Sequence, residues 1–194
     1  EKAAALKKQL TKTEKDLHRD IKKLIGFEVE IWAASSIQKA FDNQKIPYDR
    51  TDKGAPSFTK NFLATHPHEL PKLINEAREI NKANTTFIET ILKHEHNGRI
   101  HSDINQIRSD DGGTVTGRFS YSNPNLQQIP ARHKELGPLI RSLFIPEQGH
   151  KWGCFDYSQQ EPRIVVHFSS LLKLEGSSMI VDQYNNGEAD FHQM

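Results

Sequence analysis

Leucine and isoleucine recur through the first 25 residues at spacings of three, four and seven: Leu6, Leu10, Leu17, Ile21, Leu24 and Ile25, on a background rich in lysine and glutamate. This period gathers the apolar side chains on one stripe of a helix. Residues 1–45 therefore read as helical. Ser35-Ser36 is the expected cap of a second, short helix that carries Ile37, Ala40 and Phe41. Pro47, Gly54 and Pro56 interrupt the pattern, so residues 46–57 read as a loop. Helical spacing returns over 57–64 and 69–93, where Leu73, Ile74, Ala77, Ile80, Phe87, Ile88, Ile91 and Leu92 supply an apolar face.

The texture changes at Gly98. Ile100, Ile104 and Ile107 alternate with polar residues, which suggests a strand over 99–108 that ends at Asp110-Asp111-Gly112-Gly113. Residues 116–130 are rich in Gly, Asn, Ser and Pro and predict a long ordered loop, a kind that is usually functional inside a compact domain. Residues 139–144 and 152–156 suggest two short strands. A buried helix is expected over 162–174, with Ile164, Val165, Phe168, Leu171 and Leu172. Helices followed by mixed strands and helices give an α+β fold. There is no internal repeat and no low-complexity tract.

Composition narrows the picture without deciding it. The 194 residues are 35% hydrophobic and 26% charged, enough for one ordinary domain or two small lobes. No apolar run approaches the roughly 20 residues needed to span a bilayer, so no membrane association is expected. The single cysteine, Cys154, forms neither an internal disulfide nor a zinc site. A reducing, cytoplasmic setting is the default. The formal net charge of +1 does not advertise nucleic acid, but residues 1–25 carry eight basic side chains against four acidic ones. Such a face can follow phosphates; a solvated helix accounts for it as well. The chain opens on Glu1 and stops after Met194 without a terminating signal, which suggests a piece of something longer.

Candidate chemistry concentrates in two segments. In Cys154-Phe155-Asp156-Tyr157-Ser158-Gln159-Gln160-Glu161-Pro162-Arg163, an apolar strand is expected to end in Asp156 and turn into a helix. That placement suits a hard oxygen ligand for Mg²⁺, but by spacing alone a simple helix-entry residue is the commoner role. Ser158-x-x-Glu161 also matches a helix capping box, with Pro162 in the first turn. The second segment is Thr116-Gly117-Arg118-Phe119-Ser120-Tyr121-Ser122-Asn123-Pro124-Asn125-Leu126-Gln127-Gln128-Ile129-Pro130. Its Arg, Asn and Gln side chains suit base edges and phosphates, and suit a self-bonded loop just as well.

Taken in order, these segments, with Ile140-Arg141-Ser142-Leu143-Phe144 between them, resemble the A-family DNA polymerases, bacterial DNA polymerase I and more closely its phage relatives. Lys53-Gly54-Ala55-Pro56-Ser57 is similar to the family's thumb-entry sequence, and Asp190-Phe191-His192 to the Asp-Ile-His before the fingers. The Gln160-Glu161-Pro162-Arg163 form is phage-like. The resemblance implies a helical thumb and thumb base over 1–97 and the first part of a palm over 98–194. It implies that Asp156 binds both Mg²⁺ ions, with the Tyr157 carbonyl as a further ligand, and that Glu161 is the gate against a ribose 2′-hydroxyl. Arg118, Asn125 and Gln127 would meet primer-template DNA. Arg78 and Lys82, one helical turn apart, would hold duplex phosphates. Gln159, Glu161, Arg163 and His192 would surround the incoming deoxynucleoside triphosphate.

No segment resembles the fingers or the family's second palm carboxylate motif, and no exonuclease-like carboxylate cluster is present. The missing fingers and palm portion is thus an expected partner, in cis or as a second chain, and the chain alone is expected to be inactive. Two other readings stand beside an enzyme portion. One is a non-catalytic duplex-binding module, which needs neither Asp156 nor Glu161. The other is a single-subunit RNA polymerase, against which a bulky Glu161 argues.

Overall fold

The computed structural model describes residues 1–107, 112–130 and 133–187. It divides into two compact units, Glu1–Ile145 and Pro146–Met194. In the first, α1 (Lys2–Ile25) is a 24-residue helix that buries Leu6, Leu10, Leu17, Ile21 and Ile25. It ends at Gly26, whose φ of 86° is a left-handed conformation suited to a residue without a Cβ. Next come α2 (Ala34–Asn43), α3 (Lys60–Thr65) and α4 (Glu69–Lys82). A π-helical segment, Ala83–Ile88, joins α4 to α5 (Glu89–His94) without a break.

Two hydrophobic clusters share α1. The C-terminal half of α1 packs Leu17, Ile21 and Ile25 with Ile37 and Phe41 of α2, Leu63 of α3 and Ile74 and Ala77 of α4. The Phe41 ring lies 4.9 Å from that of Phe58, which lies 5.4 Å from Tyr48. The N-terminal half places Leu6 and Leu10 against Ala83, Ile88 and Ile91 and against Leu136 and Ile140 of α6 (Leu136–Arg141). Between the apolar contacts runs a polar seam. Lys7 pairs with Glu89 at 3.0 Å, Asn84 Nδ2 donates to Thr11 Oγ1 at 3.1 Å, and Asn81 Nδ2 donates to Glu14 Oε1 at 2.8 Å.

The strands form three antiparallel ribbons: β1 (Asp49–Arg50) with β2 (Pro56–Ser57), β3 (Glu95–His96) with β4 (Arg99–Ile100), and β5 (Asp103–Asn105) with β6 (Ser120–Ser122). In the last, Asp103 faces Ser122 and Asn105 faces Ser120. The fold is α+β, as the element order predicts. The second unit holds α7 (Gln160–Leu171) and α8 (Ser177–Asn185). Among the described residues no helix is long and apolar enough to cross a membrane.

Several expectations give way. The segment read as a loop over 46–57 contains the β1–β2 ribbon, and the strand expected over 99–108 is two short ones. Ser35 caps nothing: α2 begins after Ala33, and Ser36 Oγ instead accepts from the Glu30 backbone N–H at 3.0 Å. Residues 139–144 are no strand, because Leu136 and Ile140 stand one helical turn apart and both are buried in α6. The His133 Nδ1 accepts the Glu135 and Leu136 N–H groups at 3.3 and 3.0 Å and so starts that helix. Residues 152–156 form no strand: all five are exposed and none pairs in a ladder, and α7 buries none of its residues.

Candidate functional site

Sequence-predicted site residues fall in both units. In the first, the β5–β6 ribbon anchors the polar loop at residues 116–130. Ser102 Oγ donates to the Pro124 carbonyl at 2.6 Å, and Asn123 Nδ2 donates to Asp103 Oδ2 at 3.0 Å. Asn125 Oδ1 accepts the Gln127 N–H at 3.0 Å and caps the short 3-10 turn Leu126–Gln128, while Gln127 Nε2 donates to the Phe119 carbonyl at 3.0 Å. The loop is therefore partly self-bonded. Asn125 and Gln127 are both exposed. Arg118 is exposed as well, and its carbonyl accepts from Thr114 Oγ1 at 2.7 Å.

Arg78 and Lys82 both lie on α4 but differ in surroundings. Arg78 Nε donates to the Ile31 carbonyl at 2.6 Å and Nη1 to the Phe58 carbonyl at 2.8 Å, with the guanidinium 5.1 Å from the centre of the Trp32 ring. Burial lowers its pKa. This structural task has no signature in the i, i+4 spacing. Lys82 is exposed and lines a cavity of about 450 Å³ together with Gln128, Pro130, Phe87, Leu136 and Ile140. The structure thus brings Lys82 to the same cavity as the far end of the polar loop.

Beside that cavity, Glu79 accepts from Lys60 Nζ at 2.8 Å and meets His133 Nε2 at 3.1 Å. Since His133 Nδ1 accepts two backbone N–H groups, its proton sits on Nε2, and Nε2 donates to Glu79. Burial pushes the Glu79 pKa up, but the hydrogen bonds from Lys60 and His133 outweigh it, and the net shift is downward.

In the second unit Asp156 is exposed, on the irregular stretch that precedes α7. Its neighbours Phe155 and Tyr157 are 96% and 80% exposed. The capping box expected at Ser158 and Glu161 places the N-cap one residue early: α7 has Gln159 as its N-cap, and Gln159 makes no side-chain capping bond. Gln159 takes a φ of 54°, and the Ser158 carbonyl accepts from Arg163 Nε at 2.9 Å. Tyr184 Oη, from α8, donates to Gln159 Oε1 at 3.2 Å, and the Arg163 guanidinium lies 4.7 Å from the centre of the Tyr184 ring. Sequence reasoning missed Tyr184, since one tyrosine in a short amphipathic helix carries no signal of its own. His192 lies outside the described residues.

The carboxylate of Asp156 and the carbonyl of Tyr157 are hard oxygen donors of the kind Mg²⁺ takes. Among the described residues no group of three or more His, Cys, Asp or Glu is placed to hold a metal ion. The donor set fits magnesium in kind and falls short in number.

Comparison with known proteins decides the family. The DNA polymerase family A profile matches residues 1–194, the whole chain. The chain belongs to DNA polymerase family A. A DNA-directed DNA polymerase of Pseudomonas phage M6 is 37% identical over 85% of this chain and 27% of its own length. DNA polymerase DpoZ of Acinetobacter phage SH-Ab 15497 is 37% identical over 90% of the chain and 30% of its own length. Among solved structures, the POL domain of Pol1 from M. smegmatis, in complex with DNA primer-template and dNTP, superposes with a TM-score of 0.75 at 25% identity. That match covers 96% of this chain and 32% of the other. The chain thus spans less than a third of the length of each of these family A polymerases.

Proposed function

We propose that this chain contributes the thumb base, residues 1–97, and the first part of the palm, residues 98–194, to a template-directed DNA polymerase. The observation that carries the reading is the turn from Asp156 to Glu161. It holds an exposed carboxylate ahead of a helix start that is fixed by three side chains, within a chain that matches the family from end to end. Asp156 and the Tyr157 carbonyl would hold Mg²⁺, which when bound neutralises charge on the transferred phosphoryl group and acidifies the primer hydroxyl. Glu161, in the first turn of α7, stands as the gate against a 2′-hydroxyl. Gln159 and Arg163, and His192 beyond the described residues, face the deoxynucleoside triphosphate.

Primer-template DNA meets the first unit. Arg118, with the amides of exposed Asn125 and Gln127, touches the minor-groove edge near the primer end, where acceptors are similar for all base pairs. Lys82 holds a phosphate, and Arg78 lends its remaining Nη2 while fastening Ile31 and Phe58. Exposed Phe155 and Tyr157 and the apolar face of α7 receive the fingers and the rest of the palm, in cis or as a second chain.

Nucleotide incorporation on primed template tests the reading. Asp156→Ala in the polymerase with its palm and fingers complete lowers incorporation by about 10³-fold. The 194-residue chain alone incorporates nothing, because one carboxylate leaves Mg²⁺ mostly hydrated and loosely placed. Retained activity in the Asp156→Ala enzyme overturns the metal role, and turnover by the isolated chain overturns its dependence on a partner portion. The second reading, a duplex-binding module without chemistry, draws on the finding that among the described residues no group of three or more His, Cys, Asp or Glu is placed to hold a metal ion. It predicts that the completed protein binds duplex yet ignores the Asp156→Ala change.

A further inference from the structure

Among the described residues of the second unit, the start of α7 is the one place where a side chain-bearing residue enters a helix through a left-handed backbone. Gln159 has φ 54° and ψ 45°, a conformation that L residues other than asparagine and aspartate seldom adopt. Such a turn persists when its surroundings hold it. Three contacts do so. Tyr184 Oη donates to Gln159 Oε1 at 3.2 Å, Arg163 Nε ties the Ser158 carbonyl at 2.9 Å, and Arg163 stacks on Tyr184 at 4.7 Å. Tyr184 is 6% exposed in a unit whose other described aromatic side chains are largely open to solvent. Phenylalanine would fill the same space and carry the same stack. The hydroxyl therefore has one visible task, the bond to Gln159.

We propose that Tyr184 is a positioning residue for sugar selection: through Gln159 it fixes the turn that sets Glu161 relative to Asp156. The inference rests on the reading of Asp156 as metal ligand and Glu161 as sugar gate. Tyr184 touches neither nucleotide nor metal. It acts by narrowing the orientations of the turn, so its loss lets Glu161 retreat from the space a 2′-hydroxyl would need.

The test is the ratio of deoxyribonucleotide to ribonucleotide incorporation efficiency by the complete polymerase, measured by single-nucleotide primer extension. This ratio does not depend on how much of the enzyme is folded, so a purely structural role for Tyr184 leaves it unmoved. Tyr184→Phe is expected to lower the ratio by about two- to tenfold, the span one neutral hydrogen bond supports. In a Gln159→Leu background the same change is expected to move it by less than about twofold, because the two residues act as one unit. An unchanged ratio in Tyr184→Phe overturns the inference, as does an undiminished effect in the Gln159→Leu background. Glu161→Ala separates the levels. If it too leaves the ratio unchanged, the gate reading fails and this inference fails with it. If Glu161→Ala relaxes discrimination and Tyr184→Phe does not, the role of Tyr184 alone is wrong.

Discussion

Arg78 and Lys82 sit one turn apart on α4, and sequence spacing gives them the same task. Their contacts do not. Arg78 bonds two backbone carbonyls from separate segments, Ile31 and Phe58, and covers the Trp32 ring. Its removal leaves both carbonyls without their donor, so Arg78→Ala is expected to cost about 2–3 kcal/mol of stability, read by urea unfolding. Lysine at the same position cannot make the forked contact and is expected to rescue little. Lys82→Ala is expected to change stability by less than about 0.5 kcal/mol. It should instead lower the slope of log affinity against log salt by about one in a duplex-binding titration. Loss of stability from Lys82→Ala, or none from Arg78→Ala, contradicts the division of labour.

At the scale of elements, Glu79 joins three helices. It stands on α4, accepts from Lys60 at the start of α3, and accepts from the same His133 whose other nitrogen begins α6. Its folded pKa is lowered, so its contribution to stability is in place above the unfolded value and is lost as the pH falls through the acid range, from about pH 5 downward. Glu79→Gln is therefore expected to cost on the order of 1 kcal/mol at neutral pH and to flatten the acid limb of a stability-against-pH curve. An acid limb as steep as that of the parent chain contradicts the tie. How well elements can be read from sequence follows the same physics. The α1 stripe is legible because Leu6 through Ile25 bury one face of one helix, a pattern fixed locally. The residues from Leu139 to Phe144 mislead because an apolar run of that length suits a strand or a buried turn equally, and His133, outside the run, decides. The Asp156 segment is recognisable by its motif, whereas the turn at Gln159 depends on Tyr184, which is remote in sequence.

Over the whole molecule the two units differ in how much they bury. The first holds both hydrophobic clusters, with α1 common to them, while the described part of the second buries only Ser177 and Tyr184. Backbone amides of α7 and α8 are accordingly expected to exchange with solvent orders of magnitude faster than those of α1 and α4. Equal protection across the two units, measured by hydrogen exchange, would contradict this. The positions proposed for metal and nucleotide lie in the less buried unit, and those for duplex in the more buried one.

The basic residues of α1 are not equivalent either. Lys7 pairs with Glu89, Arg19 with Asp16, Lys22 with Glu28 and Lys23 with Asp20. Lys8, Lys12 and Lys15, at helical spacing on exposed positions, have no acidic partner within salt-bridge distance among the described residues. The helix is thus electrically lopsided: its last turns are compensated by ion pairs, while toward the other end, where the backbone dipole is positive, Lys7 has an acidic partner and Lys8, Lys12 and Lys15 do not. A polyanion diffusing toward it experiences a torque before any contact forms. For a polyanion that meets this face, the unpaired lysines would act on the speed and orientation of encounter more than on the lifetime of a complex.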